Sequence, residues 1–195
     1  MWKVLFVISA LLLWAGAAFG AEQLVVKKLR NKSAFKEKND WKISTELTAD
    51  LIKALEKKGL KVVEYKDVKV YKNEPVIEGN ITEFSLSQQQ IDSMPLVSYK
   101  VFEAKLGIKL VLTGTATAQK YEVNSEHTEA LKRLRSFLPG PDEAEIASEL
   151  VIDFESRDAV KWGSDTFNKS VAGTARDKVI NDLAGQIYAV VSNGR

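Results

Sequence analysis

Cysteine is absent from the 195-residue sequence, and histidine occurs once, at His127. Without a thiol the chain can form no disulfide, no cysteine nucleophile and no thiolate-bound zinc or iron–sulfur cluster. A single histidine also excludes any metal site that needs two imidazole ligands. We therefore expect no metal centre and no cofactor, and a domain held together by burial of its apolar side chains.

An excess of one charge is also missing, because 28 Lys and Arg residues face 26 Asp and Glu residues, a formal net charge of +2. Because the two signs are so nearly balanced, the chain has no strong electrostatic field that would favour a nucleic acid or an anionic membrane surface. Two short basic clusters remain, Lys27–Arg30 and Lys132–Arg135. A solvated face is the simpler interpretation of both, and no nucleic-acid partner is expected.

The first 20 residues have the order of a secretory signal peptide. Lys3 supplies a positive charge, Val4–Trp14 is almost wholly apolar, and small residues precede Ala21. We expect cleavage before Ala21 and a single α/β domain over 21–195 that is periplasmic or secreted, without a lipid-anchor cysteine or stable membrane insertion. The alternative is an uncleaved anchor, because Val4–Ala21 is nearly long enough to span a bilayer.

The start of this domain predicts a strand–helix–strand unit. Gln23–Leu29 is expected to be a strand and Lys61–Tyr65 a second one. Between them, Ser44 is the expected N-cap of a helix that Gly59 ends. Its apolar residues fall on one face at helical spacing, namely Leu47, Leu51, Ala54 and Leu55.

The middle of the chain predicts a long antiparallel hairpin. Val76–Leu86 is rich in β-branched residues but alternates only imperfectly, and Tyr99–Ala118 alternates cleanly. Gln88–Ser98 is expected to be the connecting loop. A bulge is expected in the second strand, at Gly107 or Gly114.

The last third predicts a helix over Ser125–Phe137, a short strand over Glu149–Phe154, and a long C-terminal helix with Ser164 as its N-cap. The long helix has an apolar stripe at every fourth position: Phe167, Val171, Ala175, Val179, Leu183 and Ile187. These elements predict an α/β (α+β) fold, a single mixed β-sheet of about five strands with helices packed on it.

Candidate catalytic groups are few. His127 has Glu126 and Glu129 as neighbours, but no motif places a nucleophile beside it, so a solvated histidine is the simpler interpretation. Two pairs of carboxylates, Glu143 with Glu145 and Asp153 with Glu155, could in principle flank a glycosidic bond, with Trp162 as a platform for the sugar. In a chain with 26 Asp and Glu residues such pairs are expected by chance. No glycine-rich phosphate loop is present. We assign no catalytic, cofactor-binding or metal residue.

One segment, Ile91–Phe102, is unusually apolar for a loop. Apolar loop tips often mark binding surfaces, whereas residues such as Leu96 and Val97 could equally belong to the following strand.

Four segments resemble the curli-assembly secretion-channel family and related periplasmic lipoprotein-like domains of unknown function: Leu29–Ser33, Leu47–Glu64, Ile77–Phe84 and Trp162–Leu183. The resemblance implies a periplasmic α/β sandwich and a role in envelope assembly rather than catalysis. Family channel proteins are lipidated at an N-terminal cysteine and insert two long hairpins. This chain has no cysteine, and Gln88–Ser98 is expected to be too short for such a hairpin.

These observations predict a non-enzymatic periplasmic binding or assembly module of the bacterial cell envelope. Its expected partner is an envelope protein, bound by a helix face or a sheet edge, or a second copy of the chain. The alternatives are a small-ligand or lipid-binding domain with an apolar cleft under the long helix, and a secreted hydrolase that uses Asp153, Glu155 or His127.

Overall fold

The computed structural model describes residues 23–37, 41–66, 74–94, 97–114, 119–136 and 160–193. The predicted signal peptide and the predicted strand Glu149–Phe154 lie outside these ranges. The elements, in chain order, are β1 (Leu24–Val26), β2 (Arg30–Asn31), α1 (Ile43–Lys57), β3 (Val62–Glu64), β4 (Val76–Met94), β5 (Val97–Thr113), β6 (Lys120–Ser136), α2 (Asp165–Lys169) and α3 (Val171–Asn193).

The strands form one mixed sheet in the order β3-β1-β4-β5-β6, and the short β2 pairs with β4. β1 runs parallel to both β3 and β4, whereas β4, β5 and β6 are antiparallel neighbours. The described sheet therefore has six strands, and the predicted α+β class with a mixed sheet and a long C-terminal helix is confirmed.

The predicted strand–helix–strand unit is also confirmed, and its helix ends as the sequence indicates. Gly59 adopts a positive φ of 83°, its N–H donates to the carbonyl of Glu56 at 2.8 Å, and the N–H of Leu60 donates to Leu55 at 3.3 Å. This is the paired hydrogen bonding of a Schellman ending. The N-cap prediction is wrong, because α1 begins at Ile43 and Ser44 lies buried in its first turn.

Glu37 takes over the capping role that was expected of Ser44. Its Oε1 accepts hydrogen bonds from the backbone N–H of Ser44 at 2.9 Å and from the Ser44 hydroxyl at 2.5 Å. A carboxylate from the preceding loop thus satisfies a free N–H of the first turn and places a negative charge at the positive end of the helix.

The imperfect alternation of β4 has a structural cause. Ile81 is paired with Ile108 and Glu83 with Gly107, so Thr82 is an extra residue in β4. Because the bulge reverses the side-chain parity, the buried residues have odd numbers before it and even numbers after it: Ile77 and Ile81, then Phe84 and Leu86. The irregularity predicted at Gly107 therefore lies in the facing strand.

Two predictions for the middle of the chain are wrong. Gln88–Ser98 is not a loop, because β4 continues to Met94 and β5 begins at Val97. Ser125–Phe137 is not a helix, because β6 pairs with β5 over its whole length, from Lys120 opposite Thr113 to Ser136 opposite Val97. A full ladder of backbone hydrogen bonds with a long neighbouring strand outweighs a weak helical spacing of apolar residues.

The C-terminal helix is divided in two at Ser170. Ser164 caps α2 as predicted, since its Oγ accepts from the N–H of Phe167 at 3.3 Å. The Ser170 hydroxyl donates to the carbonyl of Phe167 at 2.6 Å and accepts from the N–H of Gly173 at 3.1 Å. Ser170 thereby ends α2 and begins α3, while the predicted apolar stripe is buried along its whole length.

One face of the sheet carries the core. α1 and α3 pack on it, and α3 lies against β5 and β6. The core residues of β5 are Phe102, Ala104, Leu106, Ile108, Leu110 and Leu112. At one end, the rings of Trp41, Trp162 and Phe167 pack together, with centroids of Trp162 and Phe167 4.4 Å apart. No described helix covers the opposite face.

Candidate functional site

The uncovered face of the sheet presents mostly polar side chains in rows that run across the strands. Three rows follow from the register: Val76, Thr113 and Lys120; Glu78, Val111 and Glu122; and Arg30, Asn80, Lys109 and Asn124. A groove of about 510 Å³ lies over this part of the face, and it is the candidate functional site. We call it the basic groove.

The segment between β1 and β2 forms one wall of the basic groove. The backbone N–H groups of Lys27 and Lys32 donate to the carbonyls of Ile77 and Ile81 in β4, so the segment follows that strand. In its middle, Leu29 is buried, and its N–H donates to the Thr48 hydroxyl of α1 at 3.0 Å. Because Leu29 is anchored to the core, the cations on either side of it reach the open face.

The floor and the far wall come from the antiparallel strands. β4 contributes Glu78 and Asn80, β5 contributes Val111 and Thr113, and β6 contributes Lys120. β6 is three strands away from β1, which corresponds to about 14 Å between the two walls at the usual strand spacing.

The basic groove is lined by more cationic side chains than carboxylates. Its cationic side chains are Lys27, Lys28, Arg30, Lys32 and Lys120. Its carboxylates are Glu78 and Glu122, so the formal charge of the lining is +3. This exceeds the +2 of the whole chain, and the groove is therefore a concentration of positive charge on a nearly neutral protein.

Both carboxylates already have a basic partner. Lys27 Nζ lies 3.3 Å from Glu78 Oε2 and 5.3 Å from the centre of the Tyr65 ring. Lys109 Nζ lies 2.8 Å from Glu122 Oε2, and this hydrogen bond lowers the pKa of Glu122. Within the described residues, the other four cations of the groove have no hydrogen-bond or ion-pair partner: Lys28, Arg30, Lys32 and Lys120.

Farther along the open face the charges are matched. Lys105 Nζ lies 3.1 Å from Glu126 Oε1, and the hydrogen bond to Glu126 raises the pKa of Lys105. Lys105 is therefore paired, whereas four of the five cations of the groove have no partner within the described residues. Among the described side chains of this face, the cations without a partner lie together in the groove.

His127 lies on the other face of β6, away from the groove. Its Nε2 and Oε2 of Glu129 are 3.0 Å apart, and the same oxygen accepts from Lys178 Nζ of α3 at 2.7 Å. Glu126 points to the opposite face, where it pairs with Lys105, so it does not orient His127. The arrangement joins β6 to α3 and leaves no described nucleophile at the imidazole.

Trp162 is buried rather than a surface platform for a sugar. It is 7% exposed, and its indole N–H donates to Asp50 Oδ2 at 3.0 Å. The acid pairs Glu143 with Glu145 and Asp153 with Glu155 lie outside the described residues. Ile91–Met94 and Val97–Phe102 belong to the paired ends of β4 and β5, which favours the interpretation of Val97 as part of the following strand.

The sequence showed part of the groove and missed the rest. Lys27–Arg30 was visible as a basic cluster, and Lys28 and Arg30 are exposed as expected for a solvated face. Lys120 joins them only because Thr113 is paired with Lys120 and Val76 with Thr113. No local signal in the sequence could have linked residues that far apart.

The described residues contain no group of three or more His, Asp or Glu side chains that could hold a metal ion. Among the helices described, none is long and apolar enough to cross a membrane.

Comparisons with known proteins concern the fold. No protein-family model matches the chain, and no curated protein does so significantly. The hypothetical protein CT253 from Chlamydia trachomatis has a similar structure, with a TM-score of 0.50 and 9% identity over 87% of this chain and 98% of that one.

Two further solved structures have lower TM-scores. A minor lipoprotein from Acinetobacter baumannii is 14% identical over 89% of this chain and 92% of that one, with a TM-score of 0.36. The PelC dodecamer from Paraburkholderia phytofirmans is 14% identical over 86% and 93%, with a TM-score of 0.42. The resemblance to the curli-assembly secretion-channel family is not confirmed by any of these matches.

Proposed function

We propose that this protein is a non-enzymatic binding module of the bacterial cell envelope, and that the open face of its sheet, at the basic groove, is its binding surface. The observation that carries the proposal is the concentration, around one concavity, of four cations that have no partner among the described residues. The carboxylates of the groove are paired with lysines, so the remaining cations are free to attract a negatively charged ligand.

The compartment follows from the N-terminal sequence. A basic residue, an apolar stretch and a run of small residues have the order of an export signal, so the chain that follows is expected in the periplasm or outside the cell. Cell fractionation and N-terminal sequencing test this point. A protein that starts at Ala21 and is recovered with periplasmic markers is expected, and a cytoplasmic protein that keeps Met1 would contradict it.

Photocrosslinking in cells tests the binding surface. A photoreactive amino acid replaces Thr113, on the groove floor, or Asp182, which is exposed on α3 at the far side of the sheet. After irradiation, gel electrophoresis and intact-protein mass measurement detect adducts of any size. We expect an adduct from position 113 and none from position 182.

A chain that crosslinks equally from both positions, or only from α3, would refute the assignment of the binding surface. Replacement of Val111 by the same photoreactive residue gives a second position in the groove. If positions 111 and 113 give the same adduct, the crosslinked molecule is bound in the groove and does not depend on the placement of a single photoreactive side chain.

A further inference from the structure

We propose that the basic groove binds a soluble small molecule that carries phosphate groups. This inference rests on the proposed function, because it names the ligand class of the same groove.

The charges favour a multiply charged anion. A lining of formal charge +3 is not neutralised by a single carboxylate, whereas a phosphate monoester or diphosphate brings two or more negative charges. Arg30 can form two parallel hydrogen bonds to phosphate oxygens, and lysine side chains are common phosphate partners. The four cations without described partners are available for such contacts.

The shape favours a small molecule. A volume of about 510 Å³ is within the range of small-ligand sites. Cations stand on both walls, from the β1–β2 segment and from Lys120, so a bound anion would be approached from two sides. Between the walls, Asn80 and Thr113 offer an amide and a hydroxyl that can hydrogen-bond to the non-phosphate part of the ligand.

The surroundings argue against a membrane surface as the occupant. Proteins that lie on a bilayer insert apolar or aromatic side chains beside their basic residues. In the part of the chain that the structure describes, the exposed large hydrophobic residue is Tyr188, 42% exposed, and it lies on α3. α3 packs on the other face of the sheet, and Tyr65, which does line the groove beside Lys27, is only partly exposed, so neither residue offers the groove a protruding apolar anchor.

Calorimetric titration of the full chain with inorganic pyrophosphate tests the inference. The groove variant Arg30→Gln/Lys120→Gln removes one cation from each wall. The matched control Lys53→Gln/Lys57→Gln removes the same charge from exposed positions on α1, outside the groove. Circular dichroism of each variant confirms that it is folded.

We expect pyrophosphate to bind the unsubstituted protein, with affinity that falls as salt is added. The groove variant should bind about tenfold more weakly or worse, because two charge-assisted contacts are lost, and the control should remain within about twofold. Equal weakening in both variants would overturn the inference, since it would show a general effect of net charge. Absence of binding to the unsubstituted protein would also overturn it.

Sedimentation with vesicles separates the soluble ligand from a lipid headgroup. Binding to phosphatidylglycerol vesicles that depends on Arg30 and Lys120, without binding of pyrophosphate, would refute the soluble ligand in favour of a membrane. If pyrophosphate fails while the crosslink at position 113 persists, the ligand class is wrong and the proposed function stands. If both fail, the proposed function fails as well.

Discussion

At the scale of single residues, Glu129 shows how one side chain connects two elements. It is partly buried between β6 and α3 and accepts hydrogen bonds from Lys178 and from His127. The hydrogen bond from Lys178, followed by that from His127, lowers the pKa of Glu129. The sequence placed Glu129 near His127, but as helical neighbours; on a strand, residues two apart share a face, and this brings them together.

The lowered pKa makes Glu129 a source of pH-dependent stability. Its ionised form is favoured in the folded state, so its contribution is present above the ordinary glutamate value of 4.5 and is lost as pH falls through the lower folded-state pKa. We expect Glu129→Gln to lose about 0.5–1 kcal/mol of unfolding free energy near neutral pH and less in acid.

Urea unfolding at several pH values between about 3 and about 7 measures this effect across the range in which carboxylates titrate. Glu56→Gln, an exposed position on α1, is the control and should leave the difference from the unsubstituted protein close to zero. Parallel curves for Glu129→Gln and the unsubstituted protein would contradict the assigned role of the carboxylate.

At the scale of elements, α3 contains two glycines in opposite surroundings. A methyl group at Gly173 would collide with the carbonyl oxygen of Phe167 and lie 2.8 Å from Cα of Asn168, both in the backbone of α2. At Gly185 a methyl group would meet no atom within 4 Å. The first glycine allows α2 and α3 to pack closely, and the second has no such role.

The two alanine substitutions should therefore have effects of opposite sign. Gly185→Ala should stabilise the protein by about 0.5–1 kcal/mol, the usual gain from replacing a helical glycine. Gly173→Ala gains the same propensity but forces α2 away from α3, and should destabilise by about 1–3 kcal/mol. Urea unfolding followed by circular dichroism measures both. If Gly173→Ala were as stabilising as Gly185→Ala, the close contact of Gly173 with the backbone of Phe167 and Asn168 would not be required.

At the scale of the whole molecule, the described core is one contiguous cluster. It extends from Leu24 in β1, through α1 and the three long strands, to Val191 near the end of α3. The aromatic group of Trp41, Trp162 and Phe167 belongs to it and joins segments more than 100 residues apart in the sequence. A continuous core of this kind favours unfolding as a unit.

We expect a single cooperative transition in urea for the chain that begins at Ala21. Trp41 and Trp162 are then the only tryptophans, so fluorescence reports the aromatic end of the core, whereas far-ultraviolet circular dichroism reports the whole sheet and its helices. The two midpoints should coincide. A fluorescence change that precedes the loss of secondary structure would show that the aromatic end unfolds separately.

The sequence by itself determined the features that depend on neighbouring residues. The apolar stripes of α1 and α3, the Gly59 ending, the Ser164 cap and the turn in which Asn31 accepts from Ser33 all follow from local spacing and residue type. Each depends on residue types and spacings within a short segment, so it can be recognised from the local sequence alone.

Only the tertiary structure decided the features that depend on distant pairing. β6 is a strand because β5 offers a ladder along its whole length, and Gln88–Met94 and Val97–Ser98 are strand because β4 and β5 remain paired through them in the same hairpin. The basic groove likewise exists because pairing brings Lys120 across the sheet from the β1–β2 cluster. A cysteine-free chain of balanced charge showed little of its function locally, since its candidate site is built from residues that meet only in the folded sheet.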